Sequence, residues 1–72
     1  MINAAIIGLG WWGRHIVYTL EGKSDKISFS RGVDIYPDTA ADIAQEKGLI
    51  LTADYSDALN DLEIEAIVLA TP

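Results

Sequence analysis

The sequence predicts an α/β fold, a parallel sheet with helices on its faces, of which about four strands are present. Three observations predict it. Extended and helical patterns alternate along the whole chain. Two of the extended runs, residues 3–7 and 65–70, are mostly apolar, as strands buried on both faces are. A glycine-rich turn joins the first of those runs directly to a helical pattern.

The elements follow in order. After the strand at 3–7, Gly13, Ile16, Val17 and Leu20 fall at offsets of 0, 3, 4 and 7, one face of a helix. Gly22 is placed to end it. Residues 27–34 read as a second strand, with Ile27, Phe29 and Arg31 alternating against serines and Gly32 weakening it. Pro37 opens a second helix, since its missing N–H is harmless in a first turn, and Ala40, Ala41, Ile43 and Ala44 carry it to Gly48. Residues 49–52 make a short third strand. Residues 54–61 make a brief helix with Asp54 or Ser56 as its N-cap. Residues 65–70 are the fourth strand, ended by Thr71-Pro72.

Composition narrows the function classes. The chain has 72 residues, no cysteine and one histidine, His15, which excludes a disulfide scaffold and a thiolate metal site. Its net charge of −6 disfavours a nucleic-acid backbone and an anionic membrane surface, both of which call for clustered Lys and Arg. Asp54, Asp57, Asp61, Glu63 and Glu65 read as a solvated face. No run approaches the roughly 20 apolar residues of a membrane span, and the apolar N-terminus lacks the basic flank of a signal peptide. A cytoplasmic location is the expectation.

Gly8-Leu9-Gly10-Trp11-Trp12-Gly13 fits G-x-G-x-x-G between a strand and a helix. Each glycine has its own duty in a dinucleotide fold of the Rossmann type. Gly8 permits the tight turn, Gly10 lets a pyrophosphate approach the backbone, and Gly13 lets the helix pack against the sheet. Amides near Leu9, Trp11 and Trp12 are the expected donors to the diphosphate, helped by the helix dipole. Asp34 lies 21 positions beyond Gly13 at the end of the second strand, where a carboxylate accepts hydrogen bonds from ribose hydroxyls. Such a carboxylate repels a 2′-phosphate, and Ile35 stands where an arginine would favour NADP, so NAD is the expected cofactor over NADP. The side chains of Trp11 and Trp12 are expected to pack rather than stack on a ligand. His15 is expected at the surface, and Arg14 near a phosphate is conceivable.

Three segments resemble the glucose-fructose oxidoreductase, inositol dehydrogenase and rhizopine-catabolism (Gfo/Idh/MocA) oxidoreductase family: residues 5–15, 33–38 and 65–72, the last ending Ala-Thr-Pro. The resemblance implies that Gly8, Gly10 and Gly13 hold the pyrophosphate and Asp34 the adenosine ribose. It also implies that Ala70, Thr71 and Pro72 line the cofactor cleft. Tyr36 departs from the Asp or Asn that the family often has before the proline, which removes a helix cap. The family transfers hydride between a nicotinamide cofactor and a hydroxyl or carbonyl of a sugar or cyclitol. Its catalytic lysine and substrate pocket would lie beyond the fourth strand, in a longer polypeptide with a C-terminal domain. Residues 1–72 are then expected to be the N-terminal portion of a dinucleotide-binding domain without catalytic residues, in a protein for which a homo-oligomer is allowed. A non-catalytic NAD(P)-binding sensor or regulatory module fits the same fingerprint, because fold does not fix function. A flavin or S-adenosylmethionine site is a third reading.

Overall fold

The computed structural model describes residues 1–70. Four strands form one sheet: β1 (Ile2–Ile7), β2 (Ile27–Val33), β3 (Ile50–Thr52) and β4 (Ala66–Leu69), in the order β3-β2-β1-β4 with every pairing parallel. Helices α1 (Trp11–Leu20), α2 (Ala41–Lys47) and the single turn α3 (Ser56–Leu59) make the crossovers. After β3 the chain passes to the other side of β1. That reversal places a crevice outside the carboxyl ends of the central strands, where open α/β sheets take their ligands.

The fold class expected from the alternating pattern is the one observed. The main core lies on one face of the sheet, where Ala4, Ile6 and Phe29 meet Val17 of α1, Ile43 and Ala44 of α2, and Leu9 and Leu49 from the turns. Phe29, Ile6, Leu9, Ile43 and Val17 are the largest fully buried side chains, each contributing about 1.5–3 kcal/mol on burial. The helical face read from Gly13, Ile16, Val17 and Leu20 is the one α1 turns to this core. The opposite face is thinner, with Ala5, Val33 and Ala58 against Ile7 and Ile64.

The second strand departs from simple alternation. Ala4 pairs with Phe29 but Ala5 pairs with Arg31, so Ser30 is an extra residue, a bulge. The shift moves Arg31 to the thinner face, where its guanidinium meets Asp61 Oδ2 at 3.1–3.2 Å. It also turns Gly32 toward the main core. A Cβ on Gly32 would stand 2.8 Å from Leu9 Cδ1 and 3.4 Å from Leu49 Cδ1, so this glycine makes room for buried leucines rather than merely weakening the strand.

Element boundaries also differ from expectation. The helix expected from Pro37 to Gly48 is split into a 3-10 turn, Pro37–Ala40, and α2. Thr39 returns its N–H to the Tyr36 carbonyl, and its own carbonyl accepts from Arg14, which draws this turn out of an α-helical ladder. The helix expected at 54–61 is one turn, and Asp54 accepts the Ser56 N–H at 2.9 Å from ahead of it rather than capping it. The fourth strand is shorter by a residue at each end, and its Leu69 is 73% exposed. Gly48 does end α2, in the left-handed conformation at φ 72°. Among the described residues no helix is long and apolar enough to cross a membrane.

Three aspartates hold their protons less tightly than usual. The Arg14 hydrogen bond lowers Asp42, the Ser56 amide lowers Asp54, and the Glu63 amide followed by Arg31 lowers Asp61. A carboxyl lowered by folding stabilises fully above its unfolded value and loses that contribution as pH falls through the folded one. Thermal melts should therefore hold level from pH 7 to 5 and fall below about pH 4. Asp54→Asn should flatten part of that fall, and a melting temperature that instead rises on acidification would contradict it.

Candidate functional site

The turn from β1 into α1 is set by two glycines. Gly8 sits at φ 95°, a backbone conformation costly for any residue with a Cβ. Gly13 packs directly on it. A Cβ there would overlap the Gly8 carbonyl oxygen and come to 3.6 Å from the Ala70 Cβ. Gly10 is different, because an added Cβ meets nothing within 4 Å. The backbone at Gly10 thus faces open space beside the first turn of α1. The amides of Trp11 and Trp12 have no intrahelical partner there, and among the described residues no side chain caps them.

This turn forms one wall of a crevice of about 680 Å³. The ends of all four strands reach it through Ile7, Asp34, Ala53 and Ala70, and the far wall carries Ile35, Tyr36 and Tyr55. The volume is in the range of small-molecule sites. The lining brings together Gly8, Gly10, Trp11, Trp12, Asp34, Ile35 and Ala70 from the sequence-derived set. Leu9 and Gly13 stand behind the wall, both buried. Thr71 and Pro72 lie outside the described residues.

The Asp34 carboxylate has more partners than the sequence suggests. Its Oδ2 accepts the Leu9 N–H at 2.9 Å and its Oδ1 accepts the Tyr36 N–H at 2.8 Å. This corrects one expectation, because the Leu9 amide is already engaged by Asp34 and is not a free donor at the turn. Each oxygen keeps lone-pair capacity beyond its one bond. Asp34 therefore ties the glycine turn to the end of β2 while still facing the crevice.

The tryptophans correct a second expectation. Gly13 and Val17 take the buried side of α1, so Trp11 and Trp12 are left outside, 71% and 63% exposed. They do not enter the core of the described residues. They pack on one another edge to face at 4.7 Å, and the exposed His15 ring lies parallel to Trp11 at 5.5 Å. Arg14 is likewise not free for a phosphate. It makes a two-pronged contact with Asp42 at 2.9–3.0 Å and donates to the Thr39 carbonyl.

Sequence reading missed Ala53, Tyr36 and Tyr55 as crevice residues. They stand on loops after β2 and β3, and only the strand order brings those loops to one wall. Among the described residues no group of three metal-ligating side chains occurs.

Sheet order, glycine turn and crevice define a Rossmann-type dinucleotide-binding fold. Comparison with solved structures agrees. The chain superposes on an NAD-binding protein from Listeria innocua with TM-score 0.81 and 30% identity, over 99% of this chain and 20% of that one. It superposes on scyllo-inositol dehydrogenase from Lactobacillus casei, with bound cofactor NAD(H) and scyllo-inositol, at TM-score 0.86 and 21% identity, over 99% and 21% of the two chains. The apo form of that enzyme gives TM-score 0.85. These neighbours share the dinucleotide-binding fold that the resemblance drawn from the three sequence segments implies. The chain spans about a fifth of the length of each. No protein-family model matches it, and neither does any curated protein sequence.

The two glycines make opposite demands. Gly13→Ala should cost about 1–3 kcal/mol, because α1 must back away from the Gly8 carbonyl. Gly10→Ala should stay within about 1 kcal/mol, the difference between glycine and alanine at an N-cap. Urea denaturation of both variants checks this, and equal losses would contradict the close-approach argument.

Proposed function

We propose that this chain is the nicotinamide-dinucleotide-binding portion of an oxidoreductase that moves hydride between NAD and a hydroxyl or carbonyl of a sugar or cyclitol. The observation that carries the reading is the convergence on one crevice of an open glycine backbone, two first-turn amides without a partner among the described residues and a carboxylate at the end of β2. The residues fit the cofactor. The space beside Gly10 and the amides of Trp11 and Trp12 suit a diphosphate, which needs donors and no added positive side chain. The free lone pairs of Asp34 suit the two ribose hydroxyls, and Ile35, Tyr36, Ala53 and Tyr55 offer an apolar wall for the adenine. Ala70 lines the crevice and is assigned to the cofactor cleft; the same role for Thr71 and Pro72, outside the described residues, rests on the sequence resemblance.

When bound, the nicotinamide ring supplies the hydride chemistry. The part proposed for this chain is to bind, orient and select. Asp34 disfavours a 2′-phosphate by like charge, and Ile35 and Tyr36 beside it offer no cation, which favours NAD over NADP. The neighbours' names support the cofactor class, and the scyllo-inositol bound to one of them supports a polyhydroxylated substrate. Residues 1–72 would be the first part of the dinucleotide-binding domain, with the groups that act on substrate elsewhere in a longer protein. A cytoplasmic location belongs to the same proposal.

Titration with NAD, followed by quenching of the exposed indoles, tests the reading. Asp34→Ala should weaken NAD by about 10–100-fold, the worth of one charge-assisted contact to the ribose, while NADP loses less or gains. Unchanged NAD affinity would sink the ribose assignment. Turnover of NAD by the full-length protein with a panel of sugars and cyclitols separates an oxidoreductase from a binding module.

A further inference from the structure

We infer that Arg14 is a positioning residue for the Asp34 carboxylate, acting through a closed ring of hydrogen bonds around the rim of the crevice. The inference rests on the dinucleotide reading and adds to it a residue that lines no part of the crevice. The ring starts at α1, where the Arg14 guanidinium donates to the Thr39 carbonyl and is held in place by both Asp42 oxygens at 2.9 and 3.0 Å. Thr39 passes its N–H and its hydroxyl to the Tyr36 carbonyl at 3.1 and 2.7 Å. Tyr36 donates its N–H to Asp34 Oδ1, and Leu9 donates to Asp34 Oδ2. The circuit closes through the Leu9–Gly10 backbone, since the Arg14 amide donates to the Gly10 carbonyl at 3.0 Å in the first ladder bond of α1.

The segment after β2 needs such an anchor. Ile35 and Tyr36 are 74% and 67% exposed, and of the residues from Ile35 to Ala40 only Ala40 is buried. Packing therefore does little to fix the Tyr36 amide, and with it the rotation of the Asp34 carboxylate. Arg14 reaches over from the rigid helix to hold the turn by its Thr39 carbonyl. A planar guanidinium is suited to this, because it can grip the Asp42 carboxylate and the carbonyl together. An exposed ion pair of this kind adds little to stability. Its effect is on geometry, and a carboxylate that must meet two hydroxyls tolerates only a fraction of an ångström of error.

The test uses the full chain and three variants, Arg14→Met, Arg14→Lys and Asp42→Asn. Two quantities are read: backbone amide exchange at Leu9 and Tyr36 without ligand, and affinity for NAD beside nicotinamide mononucleotide, which lacks the adenosine ribose. In Arg14→Met both amides should exchange several-fold faster while Ala5 and Ile6 in β1 are unchanged. NAD should bind about 5–20-fold more weakly, part of the worth of one charge-assisted contact, and the mononucleotide should be unaffected. Arg14→Lys and Asp42→Asn should fall between Arg14→Met and wild type. Unchanged amides or unchanged NAD affinity in Arg14→Met overturns the inference. So does equal weakening of both ligands with faster exchange in β1, which would mark general loosening. A wild-type chain that binds no NAD overturns the dinucleotide reading instead, and is told apart because the amides still respond to Arg14→Met.

Discussion

The close approach of α1 to the end of β1 is the constraint on which the rest of the molecule depends. Gly13 rests against the Gly8 carbonyl, and no side chain fits between them. That contact brings the first turn of α1 over the sheet edge and leaves its leading amides facing outward. It also brings Leu9 down into the core, where Gly32 has given up its side chain to admit it. Local turn chemistry, core packing and the open crevice are therefore consequences of one backbone contact.

Asp34 then joins two parts that packing alone leaves apart. Its two oxygens hold the glycine turn on one side and the segment after β2 on the other. The same carboxylate faces the crevice, so structural and binding duties share one group. This resolves an apparent difficulty in the composition. A chain of net charge −6 is a poor partner for anions in general, yet oriented amides and a helix dipole act at short range, where the distant acids are screened.

Much of the fold was legible because its signals are local. The apolar runs at 3–7 and 65–70, the helical spacing of Gly13, Ile16, Val17 and Leu20, and the stop at Gly48 each report on their own neighbourhood. The bulge at Ser30 was not legible, since it exists only against the register of β1. The split at Ala40 was hidden for a similar reason, because Arg14 lies 25 positions from the carbonyl it engages. The site shows the same division. The glycines and Asp34 carry a spacing, whereas Tyr36, Ala53 and Tyr55 meet only through the strand order. The tryptophans misled because aromatic bulk suggests burial, while their positions on α1 fall outside the face that Gly13 and Val17 occupy.

A crystal structure of the protein grown with NAD examines the central claim at the level of atoms. The account predicts the diphosphate on the Trp11 and Trp12 amides beside Gly10, with Asp34 receiving both hydroxyls of the adenosine ribose while keeping its bonds from Leu9 and Tyr36. Cofactor bound elsewhere, or a crevice that is empty or filled by the indole rings at saturating NAD, would contradict it.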